Sequence, residues 1–598
     1  MHDNYNYAGG LVHLGEVEKA KDTLKLSESL YFRVFTQLFE SKLLSLDAEA
    51  SFHPQTMIQT NALFLAGIDD MLLADLFVRW KCISSELYAL LIRLGVGSRF
   101  TSTFQRLEQL KLLGQGKSGQ ADVLAGLADQ HQKEVGKVVK EWGPKVVTAL
   151  SELSCQQIQR VLDPEQIVLE YCMSALYDTK CHPVPIPPKF LAMSGVLIVI
   201  KAVGAPLVRV VDFDRIQKLA LKAHDSAMKA VAAKRTRKPW HHLQSTADEV
   251  ASALLEAMIP TDVQALLATP PMKRVFFCPD QLIAKFPVEI LPFGNRLRFG
   301  EKCAVSYLSS AKELLRDSIL SSLCPDLVKT SDPAGSDCIF FANPNFDLKC
   351  QADAGALHPW SQLSTALASL FSKPVTASAP PLPHSETEVK EVEHLLSTAQ
   401  GGKLRTQLFL KDESTLHQAL QVRSPLILHF ATHGFSSPEF QYQYRNFWSD
   451  TRSGLLLAGA NTYHHGQFQA IASEAGTGEL TALAACGMAL QGTRLVYIST
   501  CRSSYGFIGR GEALSSLAQG FRSAGAQTVL ATLWPVSDDI AQKLATHFYF
   551  FASKTGVHPS IALQNAKKKI QEEGYDHWYD WAAFLCIGID TPLFSSTM

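Results

Sequence analysis

The sequence predicts an α/β chain: a mostly parallel sheet with helices on both faces, preceded by an all-α N-terminal region. Three observations carry this. From about residue 421, short mainly apolar runs such as LILHFA, RLVYIS and QTVLAT alternate with helix-length stretches. Strands buried on both faces read that way, and alternation with helices points to a parallel sheet. Two of these runs stop on reactive or small residues, Thr432-His433-Gly434 and Ser499-Thr500-Cys501. By contrast, DDMLLADLFVRWKCISSELYALLIRL, in the first 155 residues, keeps its apolar residues at helical spacing.

Taken in order, the helical pattern covers 1–155. Near 160 the texture changes. EQIVLEYCMS and GVLIVIKAVGAPLVRVVD read as strands, the latter a pair turning at Gly204-Ala205-Pro206. A helical stretch follows, broken by the basic segment AAKRTRKPWHH, and then PMKRVFFCPDQLIAKFPVEILPF gives a short strand and turn. CIFFANPNFD is a strand ending in Asn-Pro, FSKPVTASAPPLPHS an exposed loop, and ETEVKEVEHLLS an amphipathic helix. The final third runs as strand LILHFATHG, polar aromatic insert FQYQYRNFWSDTRS, short strand GLLLAG, helix GELTALAACGMAL and strand RLVYISTC. It continues with helix GEALSSLAQGFRSAG, stopped by Gly525 in a left-handed conformation, strand QTVLATLWPV and helix DDIAQKLATHFYFFASKTG. The expected division is 1–155, 156–415 and 416–598.

Composition narrows the function. With 56 basic against 57 acidic residues, the chain has no general attraction for nucleic acid or an anionic membrane. Its 12 cysteines include no C-x-x-C pair, which argues against structural zinc and a secreted disulfide framework. The first residues lack a signal-peptide pattern, and no apolar run reaches membrane-span length. The expectation is a cytoplasmic protein with reduced thiols, no metal and no cofactor.

The two abrupt strand ends carry the chemistry. His433 and Cys501 each follow an apolar strand and precede a glycine-containing loop. In an open α/β sheet both would emerge at the carboxyl edge, where such folds place their sites. An imidazole beside a thiol is the pair that cysteine nucleophilic catalysis needs: the His keeps the thiolate available and protonates the leaving amine. Gly434 would let a developing oxyanion approach the backbone N–H. The plainer readings are a His bonded locally at a strand end and a buried inert thiol. Cys486 lies in an apolar helical pattern and reads as packing.

These blocks resemble the CHAT family of caspase-like cysteine peptidases, relatives of caspases and separase in the caspase–hemoglobinase fold. The resemblance rests on HFATHG, GELTALAACGMALQGTRLVYISTC, GEALSSLAQGFRSAGAQTVLATLWPVSDD and HWYDWAAFLCIG over about 420–590, with weaker likeness back to about 160. It makes 156–415 a pseudo-caspase-like part and 416–598 the catalytic part. It implies a catalytic dyad at His433 and Cys501 and an oxyanion hole from the N–H groups of Gly434 and Cys501. An acidic substrate-binding position falls on Asp538, which separase-like relatives use to meet a basic residue before the scissile bond; the alternative is a helix N-cap. Arg502 and Ser503 after the Cys depart from the family's acidic residue and Thr, leaving that wall of the pocket open.

Other motifs yield less. GQGKSG lacks the first glycine of a phosphate-binding loop, Lys111 standing there instead. His464-His465 has no partner at metal-ligand spacing, and KRTRKPWHH reads as a solvated loop, with a nuclear signal, a nucleic-acid contact or a protease-sensitive loop as alternatives. HLGEVEKAKDTL resembles the start of a tetratricopeptide repeat, with Leu14-Gly15 and Ala20 at suitable offsets. The reading is a cysteine endopeptidase acting on specific protein substrates, regulated by a protein or ribonucleoprotein docking on the N-terminal helices. The alternative is a catalytically silent caspase-like scaffold.

Overall fold

The computed structural model describes residues 16–26, 28, 69–96, 137–138, 140–177, 190–235, 241–270, 272–280, 283, 286–294, 297–325, 337–349, 378–436, 453–465, 476–500, 517–534, 536–575 and 577–595. They fall into two compact units. One is built mainly from residues up to Tyr88 with Trp142–Leu323, the other mainly from Cys324–Phe507 and Ser516–Met598.

In the first unit, apolar runs form β1 (Gln166–Tyr177), β2 (Phe190–Lys201), β3 (Leu207–Val211), β4 (Arg274–Cys278), β5 (Pro292–Phe293), β6 (Leu297–Arg298) and β7 (Ala304–Tyr307). The sheet order is β3-β2-β1-β4-β7, while β5 and β6 make a separate two-stranded ladder. β1, β2 and β3 are antiparallel neighbours, and β1, β4 and β7 are parallel. The β2–β3 turn falls where Gly204-Ala205-Pro206 predicts it, with Gly204 at φ +94°.

The helical pattern around residue 80 is not one helix. It divides into α1 (Asp70–Trp80) and α2 (Ile83–Leu91) at Lys81 and Cys82, the latter at φ +53°. The break turns a fully buried Lys81 toward the carboxyl end of β4, where its ammonium donates to the carbonyls of Cys278 (3.0 Å) and Pro279 (3.1 Å). Burial alone would lower its pKa; the charge of Glu170 and its neighbours more than offsets this and holds it above the ordinary value. A second buried pair, Arg316 with Glu86 (2.7 Å), fixes α2. Helical periodicity reports neither bond, because their partners lie far along the chain.

The second unit contains the candidate catalytic strands. Its elements are β8 (Cys338–Pro344), α3 (Pro383–Ala399), β9 (Thr406–Lys411), β10 (Ile427–Ala431), β11 (Gly434–Ser436), β12 (Ser453–Leu456), β13 (Glu479–Thr481), β14 (Leu495–Ser499), α4 (Leu517–Ser523), β15 (Thr528–Thr532), α5 (Asp538–Ala552), α6 (Pro559–Glu572) and β16 (Phe584–Gly588). The sheet order is β16-β15-β14-β10-β8-β9. The five strands β9, β8, β10, β14 and β15 are parallel, and β16 pairs antiparallel with β15.

Helices cover both faces, as alternation along β10 makes plain. Phe430 stacks between Phe341 (5.0 Å) and Phe521 of α4 (5.7 Å) on one face. His429, one residue earlier, lies against Tyr497 (4.6 Å) and Tyr549 of α5 (5.7 Å) on the other. From β8 the chain goes to β9 on one side and returns to β10 on the other. The strand order therefore reverses between β8 and β10, the switch point at which open α/β sheets form a crevice beyond their carboxyl ends.

Two predicted elements need correction. LILHFATHG is not one strand: it ends at Ala431, and Gly434–Ser436 starts a different, three-stranded antiparallel sheet, β11-β12-β13. GELTALAACGMAL is not one helix: Glu479–Thr481 pairs with β12, and the helix is only Ala482–Cys486, capped by Thr481 Oγ1 accepting from Ala484 N–H (3.1 Å). Pairing with β12 overrides the local helical pattern. Gly525 takes φ +115° just past α4, as predicted.

Candidate active site

His433 stands between two sheets. Ala431 ends β10, and Gly434 starts β11. Thr432 secures the junction: its hydroxyl donates to the Leu456 carbonyl (2.5 Å), while Leu456 N–H donates to the His433 carbonyl (2.8 Å). The half-buried imidazole packs on Phe346, rings 5.3 Å apart, and its Nε2 lies 2.9 Å from the Pro380 carbonyl. A carbonyl only accepts, so Nε2 carries the hydrogen. In the neutral ring Nδ1 is then the base.

Gly434 pairs with Leu455 in the antiparallel register. The bond from Leu456 N–H to the His433 carbonyl flanks that pair, which makes Gly434 and Leu455 a non-hydrogen-bonded pair. The Gly434 N–H therefore points away from β12, on the edge strand of the small sheet. A donor so oriented is what stabilising a developing oxyanion requires.

β14 adjoins β10 in parallel, with Ala431 opposite Ser499. His433 and Cys501 each come two residues after these partners, so the 68-residue offset in the sequence is also the register of the two strands. Thr500 is buried, and its carbonyl accepts from the Thr532 hydroxyl, tying the end of β14 to that of β15. Cys501, Arg502 and Ser503 lie outside the described residues. Asp538 is the first residue of α5, beyond β15, and is exposed; Ser537, not Asp538, holds the cap position.

Beneath the strand ends lies a polar group that apolar patterning conceals. Glu388 of α3 is almost fully buried. One carboxylate oxygen is 3.0 Å from His429 Nε2, and the other accepts from Ser499 Oγ at 3.1 Å. His429 Nδ1 is 3.3 Å from Tyr549 Oη. Burial, followed by nearby charges that include Glu388, pushes the phenols of Tyr497 and Tyr549 well above their ordinary values. One carboxylate thus joins β10 and β14 just below His433 and the end of the second strand. The signal was present in the sequence: Glu388 shares the buried stripe of α3 with Ser385, Val389, Val392 and Leu396.

His464 and His465 have local partners, Glu479 (2.8 Å) and Ser378 (3.0 Å). Among the described residues no group of three or more His, Cys, Asp or Glu side chains is arranged to hold a metal ion. No single described helix is long and apolar enough to cross a membrane.

Residues 248–589 match the profile of the CHAT domain, more than half of the chain. The chain belongs to the CHAT-domain family. Tetratricopeptide repeat protein 28 of Mus musculus is 34% identical over 101 residues, which are 17% of this chain and 4% of that protein. The Homo sapiens protein of the same name is 38% identical over 79 residues, 13% of this chain and 3% of that one. The matches therefore span only a small part of these relatives. Among solved structures, the Saccharomyces cerevisiae separase–securin complex matches with a TM-score of 0.41 and 11% identity, covering 82% of this chain and 35% of that chain. The Arg-specific cysteine proteinase gingipain R matches with a TM-score of 0.33 and 10% identity, covering 57% of this chain and 69% of that one. Within the CHAT domain fall β10, β14 and the residues that fix their ends.

Proposed function

We propose that this CHAT protein is a cysteine endopeptidase that cuts specific protein substrates with Cys501 as nucleophile and His433 as general base. The observation that carries the reading is the register of β10 and β14, Ala431 opposite Ser499, with one reactive residue two positions beyond each. The Pro380 carbonyl supports it by holding the Nε2 hydrogen and leaving Nδ1 to accept the thiol proton. The thiolate attacks the scissile carbonyl, and the resulting oxyanion meets the backbone N–H groups of Gly434 and Cys501. His433 passes the proton to the leaving amine as the C–N bond breaks. Water, deprotonated by the same ring, then hydrolyses the thioester and restores the thiol.

On this reading Asp538 selects a basic residue before the cut, since a guanidinium and a carboxylate form paired charge-assisted bonds. Its exposure makes the expected selectivity modest. Residues 1–155 serve as the docking region for a regulatory protein or ribonucleoprotein in the cytoplasm. The decisive experiment treats the full chain with a thiol-directed peptidyl electrophile and maps new N-termini in a proteome. Labelling at Cys501, with cleavage lost in Cys501→Ala and His433→Ala, is expected. Unchanged cleavage by Cys501→Ala overturns the assignment, and a wild type that neither labels nor cleaves leaves the silent-scaffold reading.

A further inference from the structure

The carbonyl that orients His433 is itself held in place. Pro380 belongs to a short strap, Ser378 to Leu382, that reaches the imidazole from outside β10 and carries no regular secondary structure. A carbonyl on such a segment fixes a ring only if the segment is fixed.

Asn461 grips it at the adjacent residue. Ala379 N–H donates to Asn461 Oδ1 (2.8 Å), and Asn461 Nδ2 donates to the Ala379 carbonyl (3.0 Å). Nδ2 also donates to Asp347 Oδ1 (3.1 Å), and the backbone N–H of Asn461 donates to the Phe346 carbonyl (2.9 Å). Phe346 is the residue whose ring packs on His433. Asn461 is 1% exposed, so none of these bonds competes with bulk water. Its amide supplies one acceptor and two donors, all used, a combination that Asp lacks. Outer anchors complete the strap: Ser378 Oγ lies 3.0 Å from His465 Nε2, and Leu382 N–H donates to Asn343 Oδ1 (3.0 Å).

We infer that Asn461 is a positioning residue for His433: by clamping both backbone groups of Ala379 and the chain at Phe346, it sets the carbonyl and the ring wall that fix the tautomer and angle of the imidazole. The inference rests on the reading of His433 as general base to Cys501, but its first readout does not need that reading.

The test uses the full chain with 15N-labelled histidine, His433 being assigned by its loss in His433→Ala. In the wild type His433 is expected in the Nε2–H form. In Asn461→Asp, which removes the donor to Ala379 and sets a carboxylate against Asp347, the Nδ1–H form should become populated. Asn461→Ala introduces no second carboxylate and carries the test if the Asp variant does not fold. The second readout is the pH profile of Cys501 alkylation, followed by peptide mass spectrometry. It should slow by roughly tenfold to a hundredfold in either folded variant, as displacement of a reacting group by about 1 Å does. A folded Asn461 variant that keeps the wild-type tautomer and pH profile overturns the inference. If His433→Ala leaves Cys501 alkylation unchanged, the dyad fails, while the tautomer still decides the role of Asn461.

Discussion

Among the described residues His433 is held by the Pro380 carbonyl, the Phe346 ring and the backbone junction to β12, so its orientation is sensitive to single residues. Glu388 has a different role. It bonds to the fully buried His429 and to the half-buried Ser499. In Glu388→Ala both partners lose their acceptor; a buried group left unsatisfied, as His429 would be, costs about 1–3 kcal/mol, whereas water can reach Ser499. Chemical denaturation should show a loss of that order, with a smaller loss in Glu388→Gln, whose oxygen still accepts one bond. A Glu388→Ala variant as stable as the wild type would mean that these bonds contribute nothing net. If Cys501 is the nucleophile proposed above, Cys501→Ala should keep the fold while losing peptidase activity by several orders of magnitude, since a nucleophile is not replaceable by its neighbours. Thermal melting and single-turnover assays check the two halves of that statement.

At the scale of the element, the small sheet β11-β12-β13 is what turns the chain after His433 and what the helix Ala460–His464, bearing Asn461, rests against. Gly478 makes that packing possible. It sits at φ +66°, and a Cβ there would lie 2.5 Å from Ala460 N. Gly556 offers a control, because it has φ +77° but open space around the missing Cβ. Gly556→Ala should cost only the left-handed backbone penalty, about 1–2 kcal/mol. Gly478→Ala should cost that plus the displacement of Ala460, and it alone should alter the His433 signal, since it moves the helix that carries Asn461. Equal stability losses in the two variants would show that the close approach is relieved without consequence.

At the scale of the whole molecule, the described cysteines are protected. Cys324 is partly exposed and the other eight are buried. Burial pushes the thiols of Cys155, Cys172 and Cys278 well above the ordinary range, raises Cys338 and lifts Cys303 to about 11. At neutral pH these buried groups hold almost no thiolate, so alkylation of the native protein should spare them. Peptide mapping after timed alkylation tests this, and rapid labelling of Cys303 at pH 7 contradicts it. Acid acts on other groups. Glu386 lies below its ordinary value through Lys390 and Asn343; Asp337 does so because Arg405 more than offsets its burial. The unfolded chain takes up these protons first as pH falls, so the stability they contribute is present above ordinary carboxylate values and drains away below about pH 4. Melting temperature should decline over that interval, and removing the partner in Arg405→Ala should flatten the decline.

The parallel alternation of strands and helices, and the two strands that run toward His433 and Cys501, could be read from the sequence alone. Each depends on a local property, the mainly apolar run of a strand. Burial on both faces imposes that pattern on any strand of this kind. The CHAT-like motifs followed from the same segments. Tertiary structure decided what local pattern cannot encode. The division of the strand at Thr432 and the shortening of the 478–490 helix follow from pairing with β12. The break at Lys81 answers to carbonyls nearly two hundred positions away. Glu388 finds His429 and Ser499 at separations of 41 and 111 residues, and Asn461 reaches Ala379 across 82. Such contacts form only once strand order and register have brought distant chain segments together, which is why strand patterns are legible in one dimension and the polar groups that tie the strands together are not.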